Sequence, residues 1–300
     1  MSVWIAISIV LLLPVVAARA QLLPDRNVVF APLSGNAGAG THLLAGADLY
    51  GEFCRTLRGD DDHRWSARVG GSANIVRIDS SFSLDMLGMT EIIIDPNNDI
   101  AFNPRAIFWE EGIVATLRAT DRIDLQLGFS HRCKHDIDNL ETELERTLIY
   151  SSVYGRVLTR RLPVAARVSL RGALRLDSYL YRLDSRSTSK AAGVPPDIEH
   201  LVGSGALTLR LDWQPWSTPL ALALTATGGG SLFTVEQNGV ALLSNTSALD
   251  LAIVSEQPGA GTAALFVRWE YRRDNGIQPL PTPAALAWIG VRIGATDRMW

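Results

Sequence analysis

Apolar and polar residues alternate along most of the chain after residue 43. In the segment 165–181, Leu170 and Leu174 take even positions, whereas Arg171 and Arg175 take odd ones. Such a period of two is typical of β-strands with one apolar and one polar face. About a dozen segments of this kind follow one another, without a convincing helix longer than a short loop piece. The predicted strands span 43–57, 63–78, 81–92, 106–119, 122–133, 145–159, 165–181, 200–213, 218–233, 247–256, 261–273 and 284–294.

The polar faces of these strands carry charges of both signs. Arg268, Glu270 and Arg272, for example, share one face of the strand predicted over 261–273. A soluble sandwich places such charges outside, whereas a barrel in lipid turns its apolar faces outward and pairs the charges within its lumen. Hydrophobic residues make up 47% of the chain. Yet no apolar run after residue 20 approaches the roughly 18 residues of a membrane helix, which favours the barrel.

The connections between the predicted strands alternate in length. Tight links lie near 119–122, 160–163, 214–217 and 257–261, and longer ones at 93–105, 134–144, 182–199, 234–246 and 274–283. Outer-membrane barrels have this habit, with tight periplasmic turns and longer extracellular loops. We therefore predict an all-β fold, a closed antiparallel transmembrane β-barrel of about twelve strands with both termini in the periplasm. Its last strand is expected to stop near Gly294.

The beginning of the chain resembles an export signal. An apolar core over 3–16 precedes Ala18-Arg19-Ala20, a small-x-small pattern typical of cleavage sites. The segment before this core lacks Lys and Arg, so an uncleaved anchor is the alternative. We predict a signal peptide at 1–20, a flexible N-terminal segment at 21–42 and an outer-membrane β-barrel at 43–300. A net charge of −3 argues against a general nucleic-acid binder.

The candidate chemistry lies at the end of the strand predicted over 122–133. Its apolar odd positions lead to His131 and Cys133, which the topology places at the extracellular end, facing lipid. The next strand begins near Glu145, which shares the parity of the apolar residues Ile149 and Val153. Because adjacent antiparallel strands bring side chains of one face within reach, His131, Cys133 and Glu145 are expected to meet on the outer wall.

The His-x-Cys of 131–133, followed twelve residues later by Glu145 across a hairpin, resembles the active sites of outer-membrane phospholipase A and the lipid A deacylases. In those families a His and a Ser lie two residues apart on a barrel's outer wall, and a polar residue of the next strand orients the His. The resemblance implies His131 as base, Cys133 as nucleophile in place of Ser, and Glu145 as the orienting residue. It implies an acyl-ester hydrolase acting on phospholipid or lipid A of the outer leaflet, with membrane lipids or lipopolysaccharide as partners.

A metal site is an alternative reading of the same segment. His131, Cys133 and His135 alternate along one strand face and are donors that zinc accepts. A straight strand spreads them about 7 Å apart, too far to share one ion without a bend. Asp136 and Asp138 suit calcium, as oxygen ligands in a loop often do.

Two other functions are weighed against the hydrolase. The first is a non-enzymatic outer-membrane barrel with a structural or binding role, in which the polar residues at the strand end simply reach the headgroup zone. The second is a pore, which is disfavoured because about a dozen strands enclose little space and bulky Arg and Tyr residues face inward. We also predict no disulfide between Cys54 and Cys133, because they lie on opposite faces of non-neighbouring strands.

Overall fold

The structure, a computed structural model, describes residues 40–59, 62–94, 104–136, 146–186, 200–235, 240–257, 261–272, 274, 276–278 and 282–295. The predicted signal peptide and almost all of the predicted N-terminal segment lie outside these residues. No helix in the described part of the chain is long and apolar enough to cross a membrane.

The described residues form one sheet of antiparallel strands. These are β1 (Thr41–Leu43), β2 (Ala47–Arg58), β3 (Trp65–Ile78), β4 (Phe82–Ile94), β5 (Pro104–Arg118), β6 (Ile123–Asp136), β7 (Arg146–Ala165), β8 (Val168–Arg186), β9 (Leu201–Trp213), β10 (Leu220–Val235), β11 (Val240–Gln257), β12 (Gly261–Arg272) and β13 (Ala284–Gly294). Each strand from β2 to β13 pairs with its neighbours in the chain, and β13 pairs with β2. The short β1 pairs with the end of β3 that β2 leaves free. The result is the closed twelve-strand barrel that the sequence predicts.

The two faces of the wall differ as the alternation predicts. On β8, Leu174 and Leu176 are 44% and 60% exposed on the outside. Arg171, Arg175 and Asp177 lie between and beside them in the sequence and are buried in the lumen. Buried polar groups are unfavourable without partners, so ion pairs and hydrogen bonds must satisfy the polar groups of this lumen.

Networks of ion pairs occupy much of the lumen. Arg268 donates two hydrogen bonds to the carboxylate of Glu52, at 2.8 and 2.7 Å. Arg292 joins the same carboxylate to Asp250, with bonds of 3.0 and 2.8 Å. A second network has Arg132 bridging two carboxylates of neighbouring strands. These paired charges occupy the space that a pore would need.

The connections give the barrel two different ends. At one end, which we call the turn end, residues 79–81, 119–122, 166–167 and 214–219 join the strands. The opposite end, the loop end, carries the connections after β2, β4, β6, β8, β10 and β12. The prediction of a long loop over 234–246 is wrong. β10 extends to Val235 and β11 begins at Val240, and the two strands stay paired up to these residues.

Part of the connection between β12 and β13 covers the lumen at the loop end. Asp274 accepts two hydrogen bonds of 2.9 Å from the buried Arg146, which also binds Asp184. Ile277 is fully buried in an apolar cluster that includes Phe108. These contacts tie residues far apart in the sequence and cover this mouth of the barrel.

One side chain takes the face opposite to the predicted one. The alternation places Tyr181 on the inner face of β8, but its side chain is exposed on the outer wall. The pairing of β7 with β8 shifts between Ser151 and Ser152, where Tyr179 and Tyr181 are the partners and Leu180 is the extra residue. Such a β-bulge reverses the parity of the residues beyond it.

Candidate functional site on the outer wall

His131 and Cys133 lie on the outer face of β6, as predicted. The residues that precede them on this face, among them Leu127 and Phe129, are exposed, while the alternate residues Arg132 and Lys134 are buried in the lumen. Both candidate residues are half-buried. The outer wall therefore changes from apolar to polar toward the loop end of this strand.

The register of the neighbouring strands completes a polar row at the level of His131. Glu111 of β5 lies directly opposite His131 on one side, and Ser151 of β7 lies opposite it on the other. Tyr181 of β8 follows Ser151 in the same row. Directly opposed residues of antiparallel strands have Cβ atoms about 5 Å apart, so their side chains interact.

A hydrogen bond links the centre of this row. The Nδ1 atom of His131 and the Oγ atom of Ser151 are 2.8 Å apart. Ser151 is only 7% exposed although it faces the outer wall. A hydrogen bond at one ring nitrogen fixes the orientation of the imidazole and determines the role of the other nitrogen. The arrangement thus leaves Nε2 of His131 for chemistry.

Cys133 occupies the next outward position of β6, one step nearer the loop end. It pairs with Trp109 on β5 and with Ile149 on β7. Its thiol makes a hydrogen bond with the backbone of Trp109 and has an electrostatic interaction with the carboxylate of Glu111. The thiol therefore lies between a polar row and an apolar rim.

Aromatic side chains mark the level of the site on the outer wall. Trp109, which is 53% exposed, lies beside Cys133, and Trp269 and Tyr181 are exposed toward the same end of their strands. Near the turn end, Trp213 and Trp216 are exposed. Girdles of aromatic residues at both ends of an apolar band are typical of barrels that span a membrane.

The third predicted residue, Glu145, lies outside the described residues, so its role stays a prediction. Ser151 and Glu111 are the two residues of the row that the sequence interpretation missed. Each interrupts the apolar outward positions of its strand: Ser151 stands between Ile149 and Val153. A search for polar residues at the otherwise apolar, outward positions of a strand finds both. Only the register between the strands shows that they flank His131.

The structure offers no support for the metal alternative in its described part. No group of three or more His, Cys, Asp and Glu side chains that could hold a metal ion is found there. His135 is exposed near the end of β6. Asp138 lies outside the described residues, so the calcium hypothesis stays untested.

The two cysteines form no disulfide and lie on opposite faces of the wall. Cys54 is 1% exposed and lies in an apolar cluster of the lumen with Phe266 and Trp288. Cys133 lies on the outer face of a strand that does not pair with β2. The wall of the barrel separates the two sulfur atoms.

No family model and no curated protein sequence matches the chain. Among solved structures, it is similar to LpxR from Salmonella typhimurium, with 9% sequence identity and a TM-score of 0.48 over 82% of this chain and 99% of that chain. It is also similar to outer membrane phospholipase A from Escherichia coli, with 10% identity and a TM-score of 0.47 over 82% and 92% of the two chains. For the NanC porin the values are 12% and 0.39, over 83% and 98%. Likenesses this distant do not bear on activity.

Proposed function

We propose that this chain is a bacterial outer-membrane barrel that hydrolyses acyl esters of phospholipid or lipid A in the outer leaflet. The observation that carries the proposal is the hydrogen bond between His131 and Ser151 on an otherwise apolar outer wall. Outer-membrane barrels have short periplasmic turns and longer extracellular loops, so the turn end faces the periplasm and the loop end faces the exterior. The partners are then membrane lipids or lipopolysaccharide.

The energetic cost of the polar row supports its use. Glu111 and His131 stand on a face where neighbouring positions hold Leu, Ile and Phe. Ionisable side chains on the lipid face of a barrel are unfavourable by an amount that decreases toward the interface. Lipid ester groups lie at that interface, between headgroups and hydrocarbon, at the level of the aromatic residues. The row thus lies where an acyl ester can reach it.

We assign His131 as the general base and Cys133 as the nucleophile. When Nδ1–H of His131 donates to Ser151 Oγ, the lone pair of Nε2 is free to accept the thiol proton of Cys133. The sulfur attacks the ester carbonyl, the bond from carbonyl carbon to alcohol oxygen breaks, and Nε2 returns its proton to the leaving alcohol. Water then hydrolyses the thioester, releasing the fatty acid and restoring the thiol.

The burial of the two candidate nucleophiles favours Cys133 over Ser151. Cys133 is half-buried, whereas Ser151 is 7% exposed and engaged with His131. An ester that approaches from the lipid reaches the sulfur more readily than the hydroxyl. Ser151 is thus a positioning residue, in the role that the family resemblance implies for Glu145.

The test is fatty-acid release by the purified full-length barrel in mixed micelles with phospholipid or lipid A. We expect release by the unchanged protein, loss in Cys133→Ala and partial retention in Cys133→Ser, because Ser occupies this position in the enzymes that the motif resembles. Leu127→Ala, four residues before His131 on the same outer face of β6, is the matched control and should keep full release. Absence of release from every form would favour a non-enzymatic structural or binding barrel.

A further inference from the structure

A basic cleft opens at the turn end of the barrel, far from the outer-wall site. The β3–β4 hairpin and the ends of β5, β6 and β7 line a cleft that is open to solvent. Three guanidinium groups line it, those of Arg77, Arg118 and Arg160, and Asp124 supplies the one carboxylate of the lining. Asp124 is seven residues from His131 along β6, roughly 23 Å.

Two of the three arginines are engaged by protein groups. Arg160 donates two hydrogen bonds to Asp124, at 2.8 and 3.0 Å, so this carboxylate neutralises its charge. Arg77 is buried and donates from Nε to the backbone carbonyl of Asp79 at 3.0 Å. The cleft therefore has one carboxylate that is already committed to one arginine.

Arg118 differs from both. Its Nε atom is buried and has no hydrogen-bond partner among the described residues. Burial and the positive charges of Arg160 and Arg77 disfavour its charged form, whereas the carboxylates of Asp124 and Asp121 favour it. A buried donor without a partner and an excess of like charge are both unfavourable unless a ligand compensates them.

The remaining groups around the cleft suit an oxyanion. The hydroxyl-bearing residues Ser80 and Thr116 line the same space, and Thr116 Oγ1 accepts a hydrogen bond from Gln126, which leaves its own O–H available as a donor. The hydroxyl of Ser81, in contrast, already donates to the carbonyl of Ile78. Asp85 lies next to the cleft, but Ser83 and Asn74 already donate hydrogen bonds to its carboxylate. Guanidinium groups bind phosphate-type oxyanions through paired, charge-assisted hydrogen bonds.

We propose that this cleft binds a phosphate-type oxyanion from the periplasmic side, with Arg118 as its principal ligand. The anion is either free phosphate or the phosphate monoester of a lipid headgroup, since both present the same oxygens. The proposed hydrolase activity is independent of this site, which lies at the opposite end of β6.

Calorimetric titration of inorganic phosphate into the purified full-length barrel, in non-ionic detergent at low ionic strength, tests the proposal. We expect measurable binding that Arg118→Gln weakens by about tenfold or more, the loss of one charge-assisted contact. The control is Arg122→Gln on the adjacent turn, an exposed arginine outside the cleft, which should leave the affinity unchanged. Absence of binding by the unchanged protein, or equal weakening by both variants, would overturn the site.

A second readout protects the experiment against misfolding of a variant. Phosphate should raise the unfolding stability of the unchanged protein and of Arg122→Gln, but not that of Arg118→Gln, because only a bound ligand stabilises the native state. Stabilisation of all three forms to the same extent would overturn the proposal. Short-chain phosphatidic acid then separates the two sources: competition with phosphate identifies the headgroup, and undiminished phosphate binding identifies the free ion.

Discussion

The inner and outer faces of the wall treat polar side chains in opposite ways at one level of the barrel. On the inner face, Arg132 donates to Glu110 at 3.0 Å and to Glu91 at 3.2 Å. On the outer face one residue further along β5, Glu111 is exposed among apolar neighbours and His131 binds only the small hydroxyl of Ser151 within the described residues. Charges paired inside stabilise the barrel, whereas the polar groups on the outer face are accessible for the proposed reaction.

The largest expected effect comes from breaking the inner network. Glu52 is 3% exposed and accepts hydrogen bonds from Arg268, Arg292 and the hydroxyl of Tyr50. Glu52→Gln should lower the free energy of unfolding by about 3 kcal/mol, because it removes the carboxylate that Arg268 and Arg292 share and leaves Asp250 to pair with both. Unfolding in urea from detergent micelles measures this loss.

The matched control for Glu52→Gln is Glu111→Gln on the outer wall. Because Glu111 is exposed and belongs to no buried ion pair of the described lumen, its replacement should change the stability by less than about 0.5 kcal/mol. Equal losses of stability in the two variants would contradict the conclusion that the paired charges of the inner face stabilise the barrel and those of the outer face do not.

Two glycines, one on each face of the wall, extend the comparison of the two faces to side-chain packing. A Cβ atom on Gly128 would lie 2.4 Å from the ring of Tyr154, on which the guanidinium of Arg175 stacks at 4.1 Å. Gly128→Ala should therefore cost about 1–3 kcal/mol of stability through overpacking. Gly88→Ala on the outer wall, where a Cβ meets no atom within 4 Å, should change it by less than about 0.5 kcal/mol. Thermal unfolding on gels reports both, and a reversed order would contradict the assignment of the faces.

Adjacent serines on β7 separate function from stability. Ser151→Ala should lower fatty-acid release about tenfold, since His131 loses the hydrogen bond that holds its ring, and should leave the barrel folded. Ser152→Ala removes a bond to Asp177 inside the lumen and should cost about 1 kcal/mol of stability without reducing release. Ser151→Thr, which keeps the hydroxyl group, should restore the release. If Glu145→Gln lowers release more than Ser151→Ala does, Glu145 is the orienting residue.

The alternation of residues predicts the barrel well, because every strand has one face in an apolar environment and one in a charged lumen. It fails where the backbone departs from a regular strand, as at the bulge that turns Tyr181 outward. It predicts the face of His131 and Cys133, since parity is a local property. It does not predict that Ser151 and Glu111 flank His131, because the register between strands depends on pairings that no single strand encodes.

The smallest expected effect concerns the two cysteines, which the wall keeps apart. Cys54 lies in the lumen, 1% exposed, and Cys133 is half-buried on the outside. A disulfide requires Cα atoms within about 7 Å, so oxidation should leave the chain unbridged and its mobility equal on reducing and non-reducing gels.

A maleimide should modify Cys133 in the folded protein and Cys54 only after unfolding, because reagents reach a buried thiol only when the structure opens. His131→Ala should slow the reaction of Cys133, since a neighbouring imidazole promotes thiolate formation. Faster labelling of Cys54 than of Cys133 would place the sulfur atoms on the wrong faces and remove the nucleophile from the proposed site.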